Sequence, residues 1–239
     1  MPGAVGVRSG LRIQRAHRRR HRRHAGSRTP DAESHPRVNL RCVLFDFDGV
    51  LADYDKHVRV AHLAQAIGST FARVQHAIYG SGIEDAADRG ELDAQAYLEA
   101  LSREAGAEIT ASDWIAARRA ATRLRPDVMD TVERVARRAE VALLTNNGEL
   151  MASSLGDIAP GLFPRFTARC HASAQFGTSK PDPAVYSSCL RRLQHEPART
   201  LFIDDNADNV AGARIAGLHV HHYQTYTAFL DALAAYDLL

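Results

Sequence analysis

Four consecutive apolar residues, Cys42 to Phe45, precede two carboxylates in the stretch CVLFDFDGVLAD. A short apolar run that ends at polar residues is typical of a buried β-strand that leads into a functional loop. Asp46 and Asp48 are two positions apart, but the strand ends between them, so both carboxylates can face one site. Gly49 keeps the following turn flexible. Taken alone, the same residues are also typical of a simple turn or helix cap.

The next segment, from His57 to Arg125, has apolar residues at helical spacing on both sides of the predicted loop YGSGIEDAADRG. Thr110 or Ser112 is a candidate N-cap for its last helix. We expect an all-helical block of about 70 residues that ends at Pro126, because the residue before a proline is disfavoured in a helix. The apolar positions are Val60, Leu63, Ala64 and Ile67; Phe71, Val74, Ala77 and Ile78; Leu92, Ala96, Leu98 and Leu101; and Trp114, Ile115 and Ala117 to Ala121.

From Asp127 onward, predicted helices and strands alternate, which indicates an α/β fold with a parallel sheet and helices on both faces. We therefore expect a tail at 1–39, a core formed by 40–56 and 126–239, and a helical cap at 57–125 inserted after the first strand. The further strands are predicted at Val141–Thr145, near Phe166–Cys170, at Thr200–Asp204 and at Leu218–Tyr223. The helices are predicted at Val128–Ala139, Glu149–Leu155, Ala184–Leu193, Ala207–Ala216 and Tyr226–Ala235.

The charge is unevenly distributed along the 239 residues, of which 45% are hydrophobic. Ten arginines against two acidic residues give the first 39 positions a charge of +8, so the total of +2 leaves −6 for residues 40–239. The centre of this tail, RRRHRRH, has no apolar side chains to bury, and we expect it to be disordered. It fits a solvated tail or a misplaced translation start, a nucleic-acid or acidic-surface patch, or an organelle-targeting peptide, and it does not decide the function.

The cysteines and the hydropathy indicate a cytoplasmic protein. Cys42, Cys170 and Cys189 form no CxxC motif, and an odd number argues against a disulfide framework. We expect all three to pack in the core. The chain contains no apolar run of the roughly 18 residues needed to span a bilayer, so we expect no membrane partner.

Three further polar stretches stand at or near predicted strand ends. One strand ends in Thr145 and Asn146, at the sheet edge where ligands bind in open α/β folds, although such a turn is also a common helix N-cap. Lys180 follows in a loop fixed by two prolines. Asp204 and Asp205 close another strand, and two unit charges about 4 Å apart repel by roughly 4 kcal/mol at an effective dielectric of about 20. A bound cation is the simplest way to offset this repulsion.

The four stretches DFDGVLAD, LLTNN, KPDPAVY and FIDDNADN resemble, in this order, the four motifs of the haloacid dehalogenase superfamily of phosphohydrolases. The resemblance extends from Cys42 to the C-terminus. It implies a Rossmann-like sheet of strand order 5-4-1-2-3, with the first strand between those that bear Thr145 and Asp205. The helical block then corresponds to the family's cap. RGELDAQAYLEAL and LRPDV are most similar to the branch of bacterial sugar-phosphate phosphatases and the phosphatase domain of soluble epoxide hydrolases.

The resemblance also implies a role for each polar residue. Asp46 would be the nucleophile that forms an aspartyl-phosphate, and Asp48 the general acid and base. Thr145 and Asn146 would donate to the phosphoryl oxygens, while Lys180 neutralises charge and holds Asp46. Mg²⁺, which prefers hard oxygen ligands, would be bound by Asp46, Asp48 through its backbone carbonyl, and Asp205, with Asp204 and Asn209 in support.

The sequence therefore predicts a Mg²⁺-dependent phosphatase acting on small phosphorylated metabolites, whose substrate and oligomeric state remain open. The alternatives are a phosphosugar mutase or phosphotransferase, a 2-haloacid dehalogenase of the same fold, and a catalytically inactive binding protein. A dehalogenase would not need the second acid at position 48. His219, His221 and His222 alternate along the last strand, but that strand lies at the sheet edge in this family, so a metal there is not favoured. His57, His62 and His76 of the cap are weaker candidates for substrate contact.

Overall fold

The computed structural model describes residues 39–239, so the predictions for the Arg-rich tail lie almost entirely outside the described residues. In chain order the strands are β1 (Cys42–Phe45), β2 (Ala52–Tyr54), β3 (Thr122–Leu124), β4 (Glu140–Thr145), β5 (Cys170–Ala172), β6 (Thr200–Asp204) and β7 (His219–His222). The helices are α1 (Lys56–Ile67), α2 (Phe71–Tyr79), α3 (Ile83–Asp88), α4 (Ala94–Ala105), α5 (Ala111–Ala121), α6 (Pro126–Val135), α7 (Glu149–Ile158), α8 (Pro183–Leu193), α9 (Ala207–Ile215) and α10 (Tyr226–Ala235).

Strand β1 lies at the centre of a five-stranded parallel sheet of order β5-β4-β1-β6-β7. Numbered by their sequence within this sheet, the strands have the order 3-2-1-4-5, which is the expected 5-4-1-2-3 read from the other edge. The predicted α/β fold is confirmed. Because parallel strands end at the same edge, the residues that follow β1, β4 and β6 meet there.

The side chains of β1 are fully buried on both faces of the sheet, as expected for a strand covered by helices on each side. Val43 and Phe45 belong to a core shared with α6, α7 and α10. Cys42 and Leu44 point to the other face and pack with α8 and α9, in a cluster that also contains Cys189. Cys42 and Cys189 are buried and Cys170 is half-buried, and all three are free thiols.

The segment between β2 and β3 contains helices α1 to α5, each begun by a residue with extended or left-handed backbone. Thr110 is the N-cap of α5, where it forms a capping box with Asp113. Strands β2 and β3 form an antiparallel pair at the two ends of the helical segment. The sequence did not predict this pair, because three residues of mixed polarity are too short for a periodic signal.

Several boundaries differ from those predicted: α6 ends at Val135 instead of Ala139, and α7 extends to Ile158 instead of Leu155. The stretch predicted as a loop contains α3, which begins after Gly82 in left-handed conformation and has Glu84 and Asp85 in its first turn, where carboxylates stabilise a helix. Strand β5 begins at Cys170 instead of near Phe166, whose ring packs in the core from a turn. Among the described residues, no helix has the length and apolar character required to cross a membrane.

Candidate active site

Three acidic or basic side chains from different predicted motifs meet at the carboxyl edge of the sheet. Asp46 follows β1 directly, and its backbone N–H donates to Ile203 O at 2.9 Å. The Nζ atom of Lys180 lies 2.6 Å from Asp46 Oδ1 and 2.7 Å from Asp204 Oδ2. Asp46, Lys180 and Asp204 are all buried. The lysine therefore holds two carboxylates of neighbouring strands together.

The side chain of Asn146 holds the backbone of the lysine loop. Its Nδ2 donates to Lys180 O and its Oδ1 accepts from Lys180 N, both at 2.8 Å. The same segment lies close to α9, since a Cβ atom added at Gly212 would stand 1.9 Å from Pro181 O. Both polar atoms of the Asn146 amide are thus used. The second hydrogen on Asn146 Nδ2 is not used by this contact, so the donation from Asn146 to phosphoryl oxygens stays a prediction.

Asp204 is oriented by donors from its own loop and from α9. Asn209 Nδ2 lies 3.1 Å from both Asp204 carboxylate oxygens, and the backbone N–H of Asn206 donates to Oδ1 at 2.8 Å. Asn209 is buried beside the carboxylate. Asp204 and Asn209 are thus in direct contact, as their predicted supporting role requires.

Asp205 reaches the loop that follows β1 at a point where only glycine fits. A Cβ atom on Gly49 would lie 2.1 Å from Asp205 Oδ2, and Gly49 has a φ of +86°. Both the backbone conformation and the close approach therefore require glycine. One oxygen each of Asp46, Asp204 and Asp205 lies within 4.8 Å of the other two.

This carboxylate cluster carries more negative charge than its protein partners neutralise. Burial, opposed by Lys180 and assisted by Asp204, raises the pKa of Asp46 to about 7. Burial and Asp204 also raise the pKa of Asp205. Burial acts to lower the pKa of Lys180, but Asp46 and Asp204 outweigh it and the pKa is raised. One lysine thus faces three carboxylates, and the excess charge and the hard oxygen donors fit a divalent cation such as Mg²⁺.

The hydroxyl of Thr145, at the end of β4, remains able to donate to a ligand. Its Oγ1 accepts from Asn147 Nδ2 at 2.7 Å, which orients the oxygen and leaves its own hydrogen free. The backbone N–H of Asn147 in turn donates to Ser173 Oγ at 3.2 Å. Thr145 and Asn147 are both buried beside the cluster.

Asp48 contacts an arginine from the helical segment. Arg118 of α5 donates through Nη2 to Asp48 Oδ2 at 2.5 Å, and its guanidinium carbon lies 3.9 Å from the centroid of the Tyr54 ring. The Arg118 side chain is only 2% exposed. Its Nε and Nη1 atoms, like Asp48 Oδ1, are buried and have no hydrogen-bond partner among the described residues.

Arg118 was missed by the sequence analysis, although a signal was present. Trp114, Ala117, Arg118 and Ala121 are the buried positions of α5, and their spacing places the arginine on the apolar face of the helix. A charged residue on such a face requires a partner. The sequence offered no corresponding way to identify which acid pairs with it.

Two cavities adjoin Asp48. A cleft of about 910 Å³ also borders Gly49, His57, Arg125 and Asp205, and a smaller cavity of about 380 Å³ extends under α1, α2 and α3.

Within the described residues, the histidines of β7 do not belong to the acidic group that could hold a metal. His222 Nε2 lies 2.9 Å from the backbone oxygen of Asp205 instead.

Comparison with known proteins gives the relationships of the chain. Residues 40–217 match the family model described as haloacid dehalogenase-like hydrolase. The chain is 27% identical over 195 residues to phosphatase MT3486 of Mycobacterium tuberculosis, covering 77% of this chain and 87% of that protein. It is 29% identical over 202 residues to phosphoglycolate phosphatase 1 of Pseudomonas aeruginosa, covering 74% of this chain and 67% of that protein.

Solved structures share the fold. A HAD family enzyme of Bacteroides thetaiotaomicron, in complex with magnesium and inorganic phosphate, superposes with a TM-score of 0.66 at 16% identity, covering 80% of this chain and 98% of that one. An L-2-haloacid dehalogenase of Xanthobacter autotrophicus gives 0.58 at 22% identity and 84% coverage of each chain. At such identities these structures support the fold alone.

Proposed function

The chain belongs to the haloacid dehalogenase-like hydrolase family, and from this premise we propose that it is a Mg²⁺-dependent phosphatase that hydrolyses small phosphomonoesters through an aspartyl-phosphate. The position of the Asp48 carboxylate carries this proposal. Asp48 borders both cavities, and the larger one also borders Asp205 of the carboxylate cluster, so an acid at this position can protonate the departing alcohol. A dehalogenase needs no such acid, because a halide leaves without a proton.

In the first step, an Asp46 carboxylate oxygen attacks phosphorus. The bond from phosphorus to the alcohol oxygen breaks, its electron pair stays on that oxygen, and Asp48 supplies the proton that releases the alcohol. Lys180 and Thr145 offset the charge on the phosphoryl oxygens. A carboxylate nucleophile needs this compensation, since both reactants are anions.

In the second step, water attacks the phosphorus of the aspartyl-phosphate. Asp48, now ionised, takes a proton from that water, the bond between Asp46 and phosphorus breaks, and inorganic phosphate leaves. The carboxylate of Asp46 is regenerated, so atoms and charges balance over the cycle. The Arg118 contact keeps the Asp48 side chain at the border of the cavity through both steps.

Asp46, Asp205 and the backbone carbonyl of Asp48 would hold Mg²⁺, with Asp204 in support. When bound, the ion supplies positive charge against the phosphoryl oxygens. Asp204, fixed by Asn209 and Lys180, keeps its neighbours in place for that purpose.

Residues 57–125 would act as the cap that limits the substrate to a small molecule. Helices of this segment cover the smaller cavity next to Asp48, and exclusion of water there favours phosphoryl transfer. We expect compact phosphorylated metabolites as substrates and phosphorylated proteins as poor ones. With three free thiols, a reducing compartment such as the cytoplasm suits the enzyme.

Phosphate release from nitrophenyl phosphate by the full-length protein tests the proposal. Turnover should require added Mg²⁺, stop in chelator, and be inhibited by excess Ca²⁺, which prefers a looser and higher coordination. Asp46→Asn should abolish it, while Asp130→Asn, an exposed acid on α6, should not. Full turnover in chelator would disprove the metal requirement. Transfer of the phosphoryl group to a second sugar phosphate, without phosphate release, would indicate a mutase.

A further inference from the structure

The cavity of about 380 Å³ beside Asp48 is where the alcohol of a phosphomonoester would lie. It is large enough for a small metabolite and is bounded by residues of α1, α2, α3, α5 and the loop after β4. Its charged lining residues come from the helical segment except for Asp48. They are the acids Asp48, Glu84, Asp85 and Asp88 and the cations Lys56, Arg59 and Arg118.

Two of the three cations are already neutralised. Arg118 pairs with Asp48, and Arg59 pairs with Glu84 at 2.7 Å. Lys56 is exposed and lies over the ring of Tyr79, 5.2 Å from its centroid. Asp85 and Asp88 form no ion pair within 4.0 Å among residues 39–239. The cavity therefore has an excess of negative charge at the end of α3.

The backbone around Asp88 is fixed against the core. Ser173 Oγ donates to Asp88 O at 2.7 Å. A Cβ atom at Gly90 would lie 2.5 Å from Ala174 O, so this turn touches the core loop directly. Asp88 thus stands over the sheet edge, next to the asparagines that follow Thr145.

Burial and two neighbouring carboxylates both act on Asp88. Burial, and then the nearby Glu84 and Asp85, raise the pKa of Asp88 to about 7, and Arg118 and Arg59 only partly oppose them. A carboxylate or second phosphate on the alcohol would add to this repulsion. A hydroxyl group would not, because it carries no charge and can donate to Asp88, which lines the cavity.

We propose that this cavity selects phosphomonoesters of uncharged, hydroxylated alcohols, and that Asp88 is the residue that discriminates against alcohols bearing a carboxylate or a second phosphate. The inference rests on the phosphatase function proposed above. It assigns the specificity of the site to a charge on α3 that takes no part in the chemical steps.

Glycerol phosphate and phosphoglycerate, both esterified at C3, provide a matched test. Phosphoglycerate carries a carboxylate where glycerol phosphate carries a CH₂OH group. At about pH 8, where Asp88 is ionised, wild-type kcat/KM should favour glycerol phosphate at least tenfold. Asp88→Asn, which removes the charge and keeps the shape, should reduce this preference severalfold, mainly by lowering KM for phosphoglycerate. Asp130→Asn, an exposed acid on α6, should leave the preference unchanged.

Equal or better hydrolysis of phosphoglycerate by the wild-type enzyme would overturn the inference, as would an unchanged preference in Asp88→Asn. Nitrophenyl phosphate separates this failure from a deeper one. If that ester is hydrolysed while phosphoglycerate is preferred, only the specificity inference fails. If no ester is hydrolysed, the proposed function fails and the inference fails with it.

Discussion

Arg118 and Asp48 are 70 positions apart in the sequence, yet their side chains meet at 2.5 Å beside the carboxylate cluster. The contact joins α5 to the loop that follows β1. Asp48 thereby takes its orientation from the helical segment and not from its own loop alone. A conformational change in the helical segment can therefore move the Asp48 carboxylate through its contact with Arg118.

Replacement of Arg118 by methionine should misplace the Asp48 carboxylate and lower kcat for an alkyl phosphate by about 10- to 100-fold, since small misplacements of a catalytic group have effects of this size. A nitrophenyl ester, whose alcohol leaves without much protonation, should be affected less. Arg119→Met is the matched control, because Arg119 follows Arg118 in the sequence and its side chain is exposed. An Arg118→Met enzyme with wild-type rates on both esters would show that the pair does not position Asp48.

The sequence predicted the strands at the centre of the fold because their signals are local, whereas the strand order and the roles of the polar residues came from the family resemblance. Cys42–Phe45 is an uninterrupted apolar run, and the strands that bear Thr145 and Asp204 end in polar residues at the same edge. Their bounds followed from hydrophobic patterning and their meeting from parallel topology. Lys180 lies beside Asp46, as the family resemblance implied, although the hydrogen bonds between Asn146 and the Lys180 backbone were not predicted.

What the sequence did not reveal depends on contacts between distant segments. The excess charge around Asp88 arises only when α3 lies over the sheet edge, and GSGIEDAADRG is rich enough in glycine to suggest a loop. The β2–β3 pair likewise joins Ala52–Tyr54 to Thr122–Leu124 across the whole helical segment. No local pattern encodes such pairings.

Gly49→Ala should damage the metal site specifically. The new Cβ would lie 2.1 Å from Asp205 Oδ2 and clash with it. The alanine would also have to adopt the φ of +86° that Gly49 has. We expect the Mg²⁺ concentration for half-maximal activity to rise at least tenfold, because Asp205 must move. Gly68→Ala isolates the backbone effect, since Gly68 has φ +68° and no atom within 4 Å of the added carbon. That control should cost about 1 kcal/mol of stability and leave Mg²⁺ dependence unchanged. Equal Mg²⁺ dependence in both variants would contradict the assignment of Asp205.

Asp88→Asn should raise thermal stability at high pH but not at low pH. In the folded protein the pKa of Asp88 is raised from 3.8 to about 7, chiefly by burial and then by Glu84 and Asp85, with Arg118 and Arg59 opposing. The folded state therefore retains a proton that the unfolded chain releases, and stability falls as pH rises between these values. The melting temperature of the variant minus that of the wild type should be near zero at about pH 4. It should reach a few degrees at about pH 8, where 1 kcal/mol corresponds to roughly 2–4 °C for a domain of this size. A difference that does not vary with pH would show that Asp88 titrates normally.

Substitutions of Asp46 and Asp48 should have different kinetic effects, because only Asp46 is placed to attack phosphorus. Asp46→Asn should abolish turnover and phosphoenzyme together. Asp48→Asn removes a general acid and base, a role worth about 10²- to 10⁴-fold, while the backbone carbonyl proposed as a metal ligand remains. With an alkyl phosphate, whose alkoxide is a poor leaving group, the loss should approach the upper end of that range.

With a nitrophenyl ester the first step needs little protonation, but water must still be deprotonated in the second. Asp48→Asn should therefore accumulate a phosphorylated Asp46, visible as a burst of nitrophenol in rapid-quench kinetics and as an added phosphate by intact mass. A double variant, Asp46→Asn with Asp48→Asn, should show neither signal, which assigns the modified residue. Wild-type rates of Asp48→Asn on both esters would rule out Asp48 as the acid and base. Failure of the wild-type enzyme to hydrolyse either ester would instead favour the dehalogenase or the inactive binding protein.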